Sequence, residues 1–161
     1  MRLANTVQDW LDENGWEDVI ERDEVAQTSQ CHMFYRIHNQ RCELFIETDE
    51  PKDWITLYFY LPFNARADKR TDVICLCNRL NATRSRFGSL QVLPSGRIRF
   101  RHTLDVEGAE LSTIVIQRML ESAAHLVEIF MSDLAAVALT SLTAQAVFER
   151  LDQVEETGAT S

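Results

Sequence analysis

Residues 54–63 read WITLYFYLPF, and residues 66–86 read RADKRTDVICLCNRLNATRSR. The first stretch alternates. Ile55, Leu57, Phe59 and Leu61 fall on one side, and Trp54, Thr56, Tyr58 and Tyr60 on the other, the period-two pattern of a strand with one apolar face. Pro62, which has no N–H to give a ladder, ends it. In the second stretch Val73, Leu76, Cys77 and Leu80 recur at helical spacing, while Arg66, Lys69, Arg70, Arg79, Arg84 and Arg86 supply charge. The pair therefore predicts a strand followed by a basic amphipathic helix. A helix of this kind covers one face of a sheet and leaves the other in water.

Upstream, Asn5 or Thr6 is the expected cap of a short helix whose apolar face is Val7, Trp10 and Leu11. Asn14-Gly15 stops it, and Trp16 returns against it. Residues 17–30 are acidic and polar apart from Val19-Ile20, and suit either a short edge strand or an extended loop. A strand is expected over Met33–Ile37, with Phe34 and Arg36 on its second face and a turn at His38-Asn39-Gln40. In the next strand Cys42, Leu44 and Ile46 face one way and Glu43, Phe45 and Glu47 the other. The Pro51 turn leads into Trp54. Such short connections predict an antiparallel meander.

Downstream, Ser89–Leu93 and Arg97–Leu104 form a predicted hairpin around Pro94-Ser95-Gly96. Ile98 and Phe100 oppose Arg97, Arg99 and Arg101. From Leu111 to Glu156 there is no Gly or Pro, and an apolar stripe runs through Met119, Leu126, Phe130 and Leu134. A break is expected near Thr140-Ser141, with Thr140 capping the next helix. Apolar residues on several faces between Val127 and Leu139 suggest either a sandwiched helix or a subunit contact. The expected fold is α+β, an antiparallel sheet of about five strands flanked by helices. Its order is α-βββ-α-ββ-α with a C-terminal helical extension. One domain is expected over 1–156, with a flexible tail over 157–161.

A chain of 161 residues is long enough to bury a core without staples. The formal charge of −9 argues against broad nucleic-acid affinity, although residues 64–101 are locally basic. No secretory leader or run of 18 apolar residues is apparent, so no membrane span is expected. Cys31, Cys42, Cys75 and Cys77 lack the spacing of a disulfide framework and read as free thiols of a cytoplasmic protein.

Catalytic and ligand motifs are lacking. Cys75 and Cys77 point about 200° apart on a helix, unlike the C-x2-C pairs of zinc sites. His32, His38, His102 and His125 show no metal-binding spacing, and His125 reads as part of a salt-laced helix surface. No serine sits in G-x-S-x-G, and Pro94-Ser95-Gly96 is a turn rather than a phosphate cradle. No cofactor or metal is expected. The informative set is Arg97, Arg99 and Arg101 with Tyr58 and Tyr60 on the same sheet side. Glu43 and Glu47 can pair with those arginines across strands.

The phrase Cys75-Leu76-Cys77-Asn78-Arg79-Leu80-Asn81 stands after Trp54-Ile55-Thr56-Leu57-Tyr58 and Leu61-Pro62, and before the Gly96 hairpin and the long last helix. In that setting the chain resembles the YbjN-domain family of bacterial sensory transduction regulators over roughly residues 5–139. The resemblance implies the fold of type III secretion chaperones, a curved antiparallel sheet flanked by helices and often dimeric. It implies no catalytic residues. It makes 73–81 a sheet-packing helix and 111–139 a helix that covers the sheet or pairs subunits.

The reading is a non-enzymatic adaptor or regulator, chaperone-like and homodimeric, that binds a protein or peptide. Trp54, Tyr58, Tyr60, Arg97, Arg99 and Arg101 are its candidate partner-binding residues. Nucleic-acid binding through those arginines and the basic helix is the alternative, and an enzyme with an unrecognised site the third reading.

Overall fold

In the computed structural model the backbone is described for residues 1–158 and side chains for residues 1–153. The expected tail over 157–161 therefore falls largely outside the described residues, as does the side chain of Val154. Helix α1 spans Arg2–Glu13, and strands β1, β2 and β3 span Ile20–Asp23, Thr28–Ile37 and Gln40–Asp49. Strand β4 (Trp54–Asn64) and helix α2 (Arg70–Thr83) follow. Next come β5 (Ser89–Val92), β6 (Arg97–Asp105), α3 (Thr113–Leu139) and α4 (Ala144–Gly158). The six strands form one antiparallel sheet in the order β1-β2-β3-β4-β6-β5.

The strand count is six rather than about five. The stretch that fitted either an edge strand or a loop contains β1, whose only buried residue is Ile20. Helix α1 also begins earlier than a cap at Asn5 or Thr6 would allow. Leu3 and Ala4 are fully buried and extend the Val7, Trp10, Leu11 stripe by a turn; that burial outweighs the capping preference. Asn5 instead accepts a hydrogen bond from Arg22, and Thr6 donates back to the Arg2 carbonyl. Gly15 sits at φ 66°, and Trp16 stacks on Trp10 with ring centroids 6.1 Å apart, the expected return contact.

All four helices lie on one side of the sheet. Cys31, Met33, Leu44, Ile46, Leu57, Phe59, Ile98 and Phe100 point toward them. Helix α3 is long and apolar enough to cross a membrane by length and composition. Its buried stripe, from Ile116 through Val127 to Val137, packs on β4 and β6 and between α1 and α2. One side of the helix is thus sandwiched, while Ile129 and Leu139 on its outer side are exposed. The break after Leu139 is where it was expected, but the capping residue differs. Thr140 hydrogen-bonds back to Ala136, while the Thr143 hydroxyl accepts from the Ala146 N–H.

Helix α2 buries Val73, Leu76, Cys77 and Leu80 and closes the β5 edge. Its Asn81 side chain donates to the Leu90 carbonyl at 2.9 Å and accepts from the Leu90 N–H at 2.7 Å. Leu93 N–H pairs with the Arg97 carbonyl, so by alternation Leu90 turns its backbone groups away from β6. The Asn81 amide thus stands where the next strand would be. The opposite edge, β1, is short and charged, which also discourages pairing.

Candidate functional site

Among the described residues no helix packs on the second sheet face, and its side chains fall in register. Tyr58 lies opposite Arg101 and Tyr60 opposite Arg99, while Phe45 lies opposite Tyr58 and His32 opposite Phe45. The result is a continuous band. The His32 ring stacks on Phe45 at 4.3 Å and 3°, and Phe45 meets Tyr60 edge-on at 5.6 Å. Tyr60 neighbours Tyr58 at 6.5 Å, and Phe34 adds a tilted contact to His32 at 5.0 Å. Guanidinium groups lie over these rings: Arg97 over Tyr60 at 4.0 Å, Arg99 over Tyr58 at 4.3 Å, and Arg41 over Phe34 at 3.5 Å. Each such contact is worth about 0.5–1 kcal/mol at an exposed site and more once water is excluded. Each ring of the band thus already has a packing partner on the face.

The hydrogen bonds divide the arginines. Arg97 pairs with Glu43 at 2.8 Å, the cross-strand pairing expected from the alternation. Arg99 donates to the Tyr60 hydroxyl and to Gln91, each at 2.9 Å, and Arg101 donates to the Thr103 hydroxyl at 3.2 Å. Among the described residues, no carboxylate makes an ion pair with Arg99 or Arg101. Glu47 accepts from Gln30 instead. Burial pushes the Tyr58 phenol above its ordinary value, with Glu47 adding to the shift and the two arginines opposing it. Tyr58 thus stays a neutral ring and donor at physiological pH.

Of the six residues expected at a partner surface, Tyr58, Tyr60, Arg97, Arg99 and Arg101 come together. Trp54 shares the face but stands at the far end of β4, beside Lys52, where it walls a trough of about 560 Å³. His32, Phe34, Phe45 and Arg41 were not among the expected residues. Their signal was present, because Phe34 and Phe45 are apolar residues at positions whose strand neighbours on that face are charged or polar.

The basic helix does not extend this patch. Helix α2 lies on the covered side, and part of its charge is used there. Lys69, just before it, is buried and donates to Asp72 at 2.6 Å and to the Leu142 carbonyl at 2.8 Å. Arg79 pairs with Asp152 of α4. A nucleic-acid surface combining the strand arginines with the helix arginines is therefore not formed.

The thiols and imidazoles do not assemble a reaction centre. Burial raises Cys31 and Cys42 to about 11 and Cys77 to about 12, while Cys75 is exposed. His102 is buried against Phe100, its Nδ1 lacks a partner, and burial lowers its pKa. His125 is exposed at the lip of a separate groove of about 320 Å³ formed with Phe87 and Ile129. Among the described residues, no group of three His, Cys, Asp or Glu is placed to hold a metal ion.

A family model described as "YbjN: Putative bacterial sensory transduction regulator" matches residues 3–136. A chain from the structure of the HopA1–SchA chaperone–effector complex superposes with a TM-score of 0.53 at 16% identity, covering 81% of this chain and 91% of that one. The crystal structure of YbjN from E. coli superposes with a TM-score of 0.50 at 11% identity, covering 81% and 92%. At these identities the two structures establish the shared fold, the curved antiparallel sheet with helices on one side. No curated protein matches.

Proposed function

Because the chain belongs to the YbjN family, we propose that it works as a non-catalytic adaptor that holds an extended segment of a partner protein on the open face of its sheet. The observation that carries this reading is the band of His32, Phe45, Tyr58 and Tyr60 with Arg97, Arg99 and Arg101 stacked over it, on a face that no helix covers. Rigid aromatic and arginine side chains are what binding hot spots are made of. The fold it shares with a chain of a chaperone–effector complex adds support. A photo-reactive amino acid placed at His32 should yield a discrete protein adduct in cells, and the same group at Glu13, exposed at the end of α1, should not. Adducts from Glu13 alone, or from neither position, would refute the reading.

The second reading, single-stranded nucleic acid, draws on the same arginines and rings. Glu21, Glu43, Glu47 and Asp49 on that face oppose it, and low-salt titration with oligonucleotides decides it.

We place the protein in the cytoplasm, off the membrane, as a homodimer paired through the outer side of α3, where Ile114 and Ile129 are 57% and 52% exposed. Sedimentation equilibrium tests this; an unchanged monomer for both wild type and Ile129→Glu counts against it.

A further inference from the structure

The strand register orders the open face by charge. Residues that lie opposite one another form rows across the sheet, and successive rows on one face are two residues, about 6.8 Å, apart along the strands. The first row holds Asp23, Thr28, Asp49, Trp54 and Asp105, and the second Glu21, Gln30, Glu47, Thr56 and Thr103. The third holds His32, Phe45, Tyr58 and Arg101, and the fourth Phe34, Glu43, Tyr60, Arg99 and Gln91. Arg36 and Arg41 make a fifth, with Arg97 alongside beyond the β4 irregularity. The face thus runs from carboxylates through aromatic rings to guanidinium groups over about 27 Å.

Internal pairing does not cancel this gradient. Arg97 neutralises Glu43, and Lys52 neutralises Asp49. Among the described residues, Arg99 and Arg101 hydrogen-bond only neutral groups, and Glu47 accepts only from the Gln30 amide. The trough at the acidic end is lined by four carboxylates, Glu21, Asp23, Glu47 and Asp49, against two guanidinium groups, Arg22 and Arg101, with Trp54 and Tyr58 as its aromatic wall.

Resting on the proposed function of this face, we infer that the segment it accepts is itself charge-ordered. It is an extended stretch with a basic, an apolar and an acidic residue at positions i, i+2 and i+4, in either chain direction. Alternate residues of an extended chain are also about 6.8 Å apart and point the same way. A Lys or Arg at one end then meets Glu21 and Glu47, a central Phe or Leu lies on Phe45 and Tyr58, and an Asp or Glu at the other end reaches Arg99. A uniformly acidic segment gains at the arginine rows and loses at the carboxylate rows, and a uniformly basic one does the reverse.

The test uses the full chain and fluorescein-labelled peptides centred on Lys-Thr-Phe-Thr-Glu, Glu-Thr-Phe-Thr-Glu or Lys-Thr-Phe-Thr-Lys in a neutral Ser/Thr context, read by anisotropy. The mixed peptide should bind at least about fivefold tighter than either uniform one. Arg99→Glu with Arg101→Glu should move the preference to the all-lysine peptide. Equal binding of all three, or an all-acidic preference in wild type, overturns the charge order while leaving the open-face reading intact. No binding by any peptide together with no adduct from His32 overturns both. Tighter binding of a single-stranded oligonucleotide, steeply weakened by salt, overturns the inference in favour of nucleic acid.

Discussion

Asn81→Ala isolates the contact by which α2 closes the sheet. The Asn81 amide makes two hydrogen bonds to the backbone of Leu90, at 2.7 and 2.9 Å, and Leu90 is 5% exposed. Alanine leaves an N–H and a C=O at the β5 edge without partners. A lost partner at a buried polar group costs about 1–3 kcal/mol, less where water enters the gap, so two give about 2–4 kcal/mol. Alanine is the better helix former by about 0.5 kcal/mol, which offsets part of this. The net expectation is a loss of about 1.5–3.5 kcal/mol, a large share of the roughly 5–15 kcal/mol by which domains are stable. Urea titration followed by tryptophan fluorescence measures it as a lower midpoint at unchanged slope. Asn81→Asp keeps the acceptor but sets a carboxylate oxygen against the Leu90 carbonyl, so it should be no better than alanine. A change below about 0.5 kcal/mol for alanine would refute the edge-clamp reasoning, because two buried backbone groups cannot lose their partners at so small a cost.

Three further outcomes are expected. Lys69→Met removes the donor that ties the start of α2 to the Leu142 carbonyl, and should lower amide protection in α4 by about tenfold in hydrogen exchange, with the sheet unaffected. Acid should destabilise the fold. Burial lowers the pKa of His102, so the unfolded state binds the extra proton first; the stability His102 permits at neutral pH falls as pH drops below the unfolded value of about 6.5. The hydrogen bond from Lys69 lowers the pKa of Asp72, so its contribution is present above the unfolded carboxylate value and is lost as pH falls through the lower folded one. Melting temperatures of wild type and His102→Leu followed from pH 7.5 to about 2.5 separate the two, since the variant should lose the first drop, below about 6.5, and keep the second, below the carboxylate value. Finally, a thiol reagent should label Cys75 alone in the native protein, and Cys31, Cys42 and Cys77 only in urea, as counted by mass spectrometry.

The parts of the fold that were legible were those in which one physical effect dominates. In β4 as far as Leu61 and in β6 the alternation is regular, so both faces follow from pattern alone; β4 runs on past Pro62, where a strand end was expected, to Asn64. Helix α2 followed from its Val73, Leu76, Cys77, Leu80 stripe. Strand β1 was ambiguous because it is four residues long and buries only Ile20, too little to set a period. The start of α1 was misplaced because capping preferences at Asn5 and Thr6 are local, while the burial of Leu3 and Ala4 against the rest of the core is not visible along the chain. Thr140 and Thr143 are equally good caps on sequence grounds; only the path of the α3–α4 link selects Thr143.

The candidate site shows the same division more sharply. Five of its members could be named because they lie on two strands whose faces were already known. His32 and Phe45 were missed, although Phe45 stands out as an apolar residue between Glu43 and Glu47, because joining the two into one band needs the register, which sets His32 opposite Phe45. The mistaken extension of the patch to the basic helix has the same origin. Composition counts nine basic residues between 64 and 101 as one group. The sheet separates them, because the open-face arginines belong to β6 while α2 and Lys69 before it lie behind the sheet, where Lys69 pairs with Asp72 and Arg79 with Asp152. Charge along a sequence becomes charge on a surface only once a sheet has assigned it a side. For this chain that assignment converts an apparent basic tract into a face that is acidic at one end, aromatic in the middle and basic at the other, and it is this order, rather than the net charge of −9, that a partner meets.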